Sequence, residues 1–211
     1  MIKWLAVKLP SEIPGRKREE LLARLPFERK ISLEKSRADG AKKLGPLFAY
    51  ALLRWAMGGN APEIEWKSGE KPCFKGETGL FFSLSHTDGF ALCALSDRPC
   101  GADCERIREV KERLWQRTMT EGELQWAEND PQRLFKLWSL KESFIKLTGK
   151  GLALWPKNIE FYFEGDRPIA PQEGVFSACT VLYGCAFALC TTAEEAPAAP
   201  EFVSWEEVIE Y

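Results

Sequence analysis

Two short acidic stretches hold the residues best suited to chemistry. The first runs Cys-Gly-Ala-Asp-Cys-Glu over residues 100–105. If it is an extended strand, Asp103 and Glu105 project to the same face, because successive side chains alternate. The second, over residues 137–146, predicts a helix on which Glu142 and Lys146 share one face. Carboxylates of this number, completed by phosphate oxygens and water, are a typical magnesium site.

A plainer interpretation fits the same spacing. The two strand carboxylates could simply end a strand, and Glu142 could form a surface ion pair with Lys146 or Lys141. Trp138 and Phe144 indicate that the helix packs against a core, where a carboxylate is costly unless something neutralises it. Spacing alone leaves both interpretations open.

Candidate anion-binding groups lie in other parts of the chain. Ser85 and His86 end an apolar strand before a turn, where binding groups are commonly presented, and a sole histidine cannot build a multi-histidine metal site. Lysines can hold phosphates as point charges. The alternatives are a hydrogen-bonded turn histidine and solvated charged helix faces. The basic residues form three groups: Arg29, Lys30, Lys35 and Arg37; Lys42 and Lys43; and Lys67, Lys71 and Lys75.

Composition limits the classes of partner. The net charge of −2 over 211 residues gives no general attraction for nucleic acid or anionic membranes, so we expect neither as a partner. No run approaches the roughly 20 apolar residues of a membrane helix. The seven cysteines are odd in number and show no C-x-x-C spacing, which predicts reduced core residues in a cytoplasmic protein.

Hydrophobic periodicity predicts an α+β protein of two similar halves, residues 1–105 and 106–211. The predicted strands are 2–8, 79–84, 90–96, 100–105, 158–164, 175–182 and 184–191, with a further strand-like run at 202–209. The predicted helices are 11–25, 32–57, 109–118, 120–128 and 131–148. Pro46 is unfavourable within the second of these helices. Thr120 followed by Glu123 predicts a capping box.

Four motifs, taken in order, resemble the 4′-phosphopantetheinyl transferases of the Sfp type. They are Lys71-Pro72, Ser85-His86, Gly-Ala-Asp-Cys-Glu over 101–105, and Trp-Ser-Leu-Lys-Glu-Ser-Phe-Ile-Lys over 138–146, followed by Thr-Gly-Lys-Gly-Leu over 148–152. The resemblance covers about residues 26 to 152. It implies two α/β-type subdomains related by a pseudo-twofold axis, with coenzyme A in the cleft between them.

The resemblance also implies an activity. Such a holo-[acyl-carrier-protein] synthase moves the phosphopantetheine arm of coenzyme A to a serine of an apo acyl, peptidyl or aryl carrier protein, and releases adenosine 3′,5′-bisphosphate. Mg2+, or alternatively Mn2+, would be held by Asp103, Glu105 and Glu142. Lys146, Glu142 or a water would take the serine proton. The nucleotide and its phosphates would contact Ser85, His86 and Lys71, with further phosphate contacts from Lys30 and from Lys42 or Lys43.

Two departures affect the first half of the chain. Glu70 stands where the family often has glycine before Lys-Pro, and Lys42-Lys43-Leu-Gly-Pro stands where an arginine without proline is usual. These changes concern the adenine and 3′-phosphate contacts more than the metal site.

We expect a monomer, because one chain contains both halves of the cleft. For the acidic carrier we predict a docking segment of basic residues, with Trp115 and Met119 as anchors. Its alternative is an amphipathic helix that buries these two side chains in its own fold. The basic residues are Arg106, Arg108, Lys111, Arg113 and Arg117.

The competing function is a catalytically idle adaptor that binds coenzyme A or a carrier. The intact set of Asp103, Glu105, Glu142 and Lys146 argues against it. A nucleotide hydrolase would require a Walker-type glycine loop, which the sequence lacks.

Overall fold

The computed structural model describes residues 1–35, 44–66 and 70–211, and its two larger sheets, of four and three strands, lie between outer helices. The described helices are α1 (Gly15–Ala23), α2 (Phe27–Lys35), α3 (Leu44–Ala56), α4 (Glu112–Thr118), α5 (Glu121–Ala127), α6 (Pro131–Thr148) and α7 (Trp205–Val208). The strands are β1 (Ile2–Lys8), β2 (Ile64–Glu65), β3 (Cys73–Phe74), β4 (Phe81–Thr87), β5 (Phe90–Ser96), β6 (Cys100–Arg106), β7 (Tyr162–Glu164), β8 (Arg167–Ile169), β9 (Phe176–Leu182), β10 (Cys185–Thr191) and β11 (Glu201–Val203).

The first sheet has the order β11-β1-β5-β4. β5 is antiparallel to both β1 and β4, whereas β11 is parallel to β1. β5 is buried along its whole length, as expected for a strand that is apolar on both faces. One face of this sheet packs against α3, whose Phe48, Leu52 and Leu53 are fully buried.

The second sheet has the order β6-β10-β9, with all neighbours antiparallel. Its outer face is covered by α6 through Leu137, Leu140 and Phe144. Gly101 makes this close packing possible, because a Cβ at that position would overlap the Ser143 carbonyl oxygen and the Leu147 amide nitrogen. The helix backbone therefore lies directly on the strand that carries the acidic residues.

A middle core joins the two sheets face to face. Trp4, Phe90 and Leu92 from the first sheet pack with Phe187 and Leu189 from the second. Cys100, Ala102 and Cys104 of β6 also point into this core. The strand alternation predicted for residues 100–105 is therefore confirmed, since the residues between them face α6.

The guanidinium of Arg106 links one turn of each sheet. It donates to the Asp88 carbonyl oxygen at 2.8 Å, beside the β4–β5 turn, and to the Tyr183 carbonyl oxygen at 2.8 Å, in the β9–β10 turn. It also lies over the Phe90 ring, 5.5 Å from the centroid. Gly89 leaves room for it, because a Cβ there would lie 2.7 Å from the guanidinium.

Most predicted elements are present, and the differences are local. The helix predicted over 32–57 is described as α2, which begins earlier at Phe27, and α3; residues 36–43 lie outside the described residues. Pro46 is tolerated because it lies in the first turn of the described α3. The run at 202–209 is not one strand: β11 ends at Val203, and Ser204 caps α7 by accepting a bond from the Glu207 amide.

The division into halves at residue 105 stays a prediction. Two strand pairings connect the two halves. β6 pairs with β10 of the second half, and β11 pairs with β1 of the first.

Candidate active site

Asp103 and Lys146 form the centre of the site. The Lys146 ammonium donates to Asp103 Oδ1 at 2.7 Å, to Ser85 Oγ at 3.0 Å and to the Ala102 carbonyl oxygen at 3.2 Å. Desolvation by burial acts to lower the pKa of Lys146, but the charge of Asp103 and its hydrogen bond outweigh it, so the pKa is raised. Lys146 is therefore a cation at neutral pH in this arrangement.

One carboxylate oxygen of Asp103 is left without a partner. Oδ1 accepts bonds from Ser85 and Lys146, while Oδ2 is buried and has no hydrogen-bond donor among the described residues. The side chain is only 6% exposed. An unpartnered buried carboxylate oxygen is costly, so Oδ2 is suited to a cation supplied from outside the chain.

Glu105 lies near the surface of the same face. Trp138 Nε1 donates to its Oε1 at 3.3 Å, and Arg108 donates to its Oε2 at 3.4 Å. Burial raises the pKa of Glu105, as does repulsion from Asp103, and the two donors oppose the shift. Trp138 is thus more than a core residue, and the sequence interpretation missed its hydrogen bond to Glu105.

Glu142 is not neutralised by either neighbouring lysine. Lys146 pairs with Asp103, and Lys141 forms a fully buried ion pair with Glu123 at 2.6 Å. Burial raises the pKa of Glu142 to about 6, with a further contribution from repulsion by Asp103. The surface ion pair considered from the sequence is therefore absent from the described contacts of Glu142.

The carboxylates of Asp103, Glu105 and Glu142 lie in one region but are not positioned to coordinate a single ion together. Among the residues that the structure describes, no group of three His, Cys, Asp or Glu side chains is arranged to hold a metal as it stands. The set still suits Mg2+, because that ion commonly takes only one or two carboxylates and keeps waters or substrate phosphates. Asp103 Oδ2 is the ligand atom most clearly available.

A cavity of about 380 Å3 opens beside this centre. His86 lies at its exposed edge against Gly45, where a Cβ would lie 2.6 Å from the imidazole Cδ2. Desolvation and the charges of Arg29 and Lys146 lower the pKa of His86. The cavity is lined by Arg29, Pro46, Ala49, Tyr50, Trp66, Lys71, Pro72, Ser83, Leu84, Ser85, His86, Asp103, Glu105 and Lys146.

The lysines predicted from the sequence have different outcomes. Lys71 lines the cavity and donates to the Cys100 carbonyl oxygen at 2.6 Å; desolvation lowers its pKa. Lys30 lies on α2 next to Arg29 but is not among the lining residues. Lys42 and Lys43 lie outside the described residues.

Two further cavity residues were not singled out from the sequence. Tyr50 belongs to the apolar face of α3, and Trp66 follows β2, so periodicity assigns them only to packing. The Arg29 guanidinium lies over the Trp66 ring, 5.1 Å from its centroid. Arg29 Nε and the Tyr50 hydroxyl are buried and have no hydrogen-bond partner within residues 1–35, 44–66 and 70–211, so both suit a polar ligand.

The predicted anchors of the docking segment are wrong. Trp115 and Met119 are buried in the core beneath α6, and Trp115 packs edge-on against Phe135. Arg106 and Arg108 are engaged within the protein, whereas Lys111, Arg113 and Arg117 are exposed. Only the basic, outward face of α4 remains available. Trp115 and Met119 therefore match the alternative considered from the sequence, an amphipathic helix that buries these two side chains in its own fold.

Comparison with known proteins gives a consistent assignment. Residues 99–195 match the family profile of the 4′-phosphopantetheinyl transferase superfamily. The chain is 37% identical over 78 residues to 4′-phosphopantetheinyl transferase gsp of Aneurinibacillus migulanus, covering 35% of this chain and 33% of that protein. It is 28% identical over 150 residues to 4′-phosphopantetheinyl transferase Sfp of Bacillus subtilis (strain 168), covering 66% of this chain and 67% of that protein.

A solved structure, Thermotoga maritima holo-[acyl-carrier-protein] synthase, aligns with a TM-score of 0.40 and 20% identity, over 44% of this chain and 61% of that chain. Over residues 99–195 the chain is therefore similar to the 4′-phosphopantetheinyl transferase superfamily. The relatives Sfp, gsp and psf-1 are all named 4′-phosphopantetheinyl transferases. The alignments to these three relatives span between one third and about two thirds of their lengths.

Proposed function

We propose that this protein transfers the 4′-phosphopantetheine arm of coenzyme A to a serine of an apo carrier protein, releasing adenosine 3′,5′-bisphosphate. The observation that carries the proposal is that one cavity contains both a candidate cation ligand and side chains suited to phosphates. Asp103, with its unpartnered oxygen, lies beside Lys146 at one end. Arg29, Lys71 and His86 line the rest and suit the phosphates of the nucleotide.

Asp103, Glu105 and Glu142 would hold a magnesium ion, with manganese as an alternative of the same ligand preference. When bound, the ion would neutralise charge on the pyrophosphate during transfer. Lys146 would hold Asp103 in place and add a positive charge near the reacting phosphate. Asp103 Oδ2 is the observation that supports this ligand set.

Glu142 is a better proton acceptor than Lys146. A base must be unprotonated to act, and the raised pKa of Lys146 keeps that ammonium charged at neutral pH. In the metal-free protein, burial raises the pKa of Glu142 to about 6, so it is ionised at pH 7 and more basic than an ordinary glutamate. We therefore assign the serine proton to Glu142, directly or through a water.

The proposal is tested by incubating the protein with coenzyme A, Mg2+ and a panel of apo acyl, peptidyl and aryl carrier proteins. Mass spectrometry should show a phosphopantetheine-sized increase on at least one carrier, together with adenosine 3′,5′-bisphosphate. A coenzyme A complex that modifies no carrier would instead support the idle adaptor.

The outward face of α4 is proposed to steer the acidic carrier. Arg113 and Arg117 lie one turn apart and are both exposed. Reversing both charges to glutamate should raise KM for the carrier by about tenfold or more and leave KM for coenzyme A unchanged, because exposed charges act mainly on encounter.

Arg16→Glu with Arg24→Glu is the matched control. It makes the same change in net charge on exposed residues on or next to α1. An equal rise in KM for the carrier in both double variants would mean that net charge alone explains the effect, and it would contradict docking on α4.

The monomeric state and the cytoplasmic location are parts of the same proposal. Every cysteine is a free thiol, which suits a reducing compartment; Cys73 is exposed and Cys179 half-buried, unlike the core positions predicted. A helix long and apolar enough to cross a membrane is absent from the described residues.

A further inference from the structure

The edges of the two sheets meet along β4 and β6, and side chains join them there. No backbone hydrogen bond connects these two strands, all of whose residues are described. Hydroxyls at alternate positions of β4 accept bonds from alternate amides of β6 instead. The three bonds are Ala102 N–H to Ser83 Oγ at 2.9 Å, Cys104 N–H to Ser85 Oγ at 3.4 Å, and Arg106 N–H to Thr87 Oγ1 at 2.9 Å.

This hydroxyl seam satisfies amides that would otherwise be orphaned. β6 is an edge strand of its own sheet, so alternate amides point away from β10 and need other acceptors. Ala102 and Cys104 are buried, and an unpaired buried amide is costly. The seam therefore sets the distance from β4 to the strand that carries Asp103 and Glu105.

Ser85 has no hydrogen-bonding capacity left over. A serine hydroxyl offers one donor and two acceptor lone pairs. Ser85 donates to Asp103 Oδ1 at 2.8 Å and accepts from Lys146 Nζ at 3.0 Å and from the Cys104 amide at 3.4 Å. It is also 8% exposed. A phosphate oxygen needs a donor, and the donor of Ser85 is already used.

We propose that Ser85 is a positioning residue for the metal and proton-transfer groups and not a ligand of the coenzyme A phosphates. It fixes the rotamer of Asp103, so that Oδ1 is shared with Lys146 while the buried Oδ2 is left for a cation. The phosphates are left to His86, one residue on, and to Arg29 and Lys71. The proposal rests on the proposed function, and it replaces the nucleotide contact that resemblance implies for Ser85.

Ser85→Ala separates the two roles. The variant removes one donor from Asp103 and one acceptor from Lys146, so Asp103 can turn away from the cation. We expect Mn2+ affinity, measured by electron paramagnetic resonance without any turnover, to fall about tenfold. Affinity for adenosine 3′,5′-bisphosphate, measured by calorimetry with EDTA present, should stay within about twofold of wild type. Transfer should show a lower kcat and a higher Mg2+ requirement, with KM for coenzyme A at saturating Mg2+ unchanged.

Two controls flank this residue. Ser83→Ala removes the neighbouring seam hydroxyl, which does not contact Asp103, and should lower the melting temperature without changing Mn2+ affinity. His86→Ala should do the converse, weakening nucleotide binding in EDTA and leaving Mn2+ affinity unchanged. Should Ser85→Ala fail to fold, Ser85→Cys keeps a similar volume with a weaker donor and acceptor and is expected to show the same loss of Mn2+ affinity.

A tenfold loss of nucleotide affinity in EDTA with Mn2+ affinity preserved would overturn the proposal and restore Ser85 as a phosphate ligand. Both binding measurements are independent of transfer. If the wild-type protein modified no carrier, the proposed function would fail while the role of Ser85 would still be decided.

Discussion

Replacing Glu142 with glutamine is expected to abolish transfer and at the same time to stabilise the metal-free protein near neutral pH. Glutamine cannot take a proton and is a poor cation ligand, so both roles proposed for Glu142 are lost. Stability should rise because the charge of Glu142 is unfavourable in the fold. Burial raises its pKa from 4.5 to about 6, and Asp103 adds to the shift by repulsion.

The pH dependence follows from the direction of this shift. Between pH 4.5 and about 6 the folded state binds the proton of Glu142 more tightly than the unfolded state does. The free energy of unfolding therefore falls as pH rises through this window, and the full penalty is present above it. A raised pKa of this size corresponds to about 2 kcal/mol at most, which glutamine removes.

Urea unfolding in EDTA at pH 5.0 and 7.5 measures the effect. The free energy of unfolding of Glu142→Gln should exceed that of wild type by about 1–2 kcal/mol at pH 7.5 and by less at pH 5.0. Mg2+ should then stabilise wild type more than the variant, which keeps only Asp103 and Glu105 as ligands. The control Glu109→Gln alters an exposed glutamate close to the site and should match wild type. A less stable Glu142→Gln protein would contradict the conclusion that the charge of Glu142 is unfavourable in the fold. A near-wild-type transfer rate would contradict its roles in metal binding and proton transfer.

The sequence predicted the parts of the site that depend on local geometry. Strand alternation placed Asp103 and Glu105 on one face, and helix length placed Glu142 and Lys146 on α6. The capping box of Thr120 and Glu123 is confirmed by reciprocal bonds of 3.2 and 2.8 Å. Each of these features is fixed by residues fewer than six positions apart, where backbone periodicity alone decides.

Contacts between distant segments could not be predicted in the same way. Ser85 reaches Lys146 across 61 positions, and nothing local distinguishes its hydroxyl from that of an ordinary strand serine. Trp115 carries an apolar face that suits a docking anchor and a core equally well, and only packing against Phe135 decides. The partner of Lys141 was equally hidden, because Glu123 lies on a different helix.

That hidden pair predicts the largest change in stability. The Lys141 ammonium is fully buried and donates to Glu123 Oε2 at 2.6 Å, to the Ile159 carbonyl oxygen at 2.6 Å and to the Pro156 carbonyl oxygen at 3.0 Å. Desolvation lowers the pKa of Lys141, and its bond to Glu123 opposes the shift. All three donors of the ammonium are used, so Lys141 anchors α6 and is not available to substrate.

Lys141→Met should lower the free energy of unfolding by about 3–5 kcal/mol, because it leaves the buried Glu123 carboxylate without its counter-ion. Adding Glu123→Gln removes that charge, and its single amide oxygen can still accept from one of the two amides that Glu123 serves, Thr120 on Oε2 and Phe161 on Oε1. The double variant should therefore recover at least about 1 kcal/mol relative to the sum of the single changes. Lys136→Met, on the same helix but partly exposed, is the control and should cost much less.

Urea unfolding of wild type, Lys141→Met, Glu123→Gln and the double variant gives the coupling free energy between Lys141 and Glu123 directly. Additive single losses, or a loss below about 1 kcal/mol for Lys141→Met, would mean that the pair does not anchor the helix. A strong coupling has a consequence for the site, because Lys141 precedes Glu142 on α6 and points about 100° away from it around the helix axis, toward α5 and residues 156–159. The buried pair then fixes the rotation of the helix about its axis. It thereby keeps Glu142 near Asp103 despite their mutual repulsion.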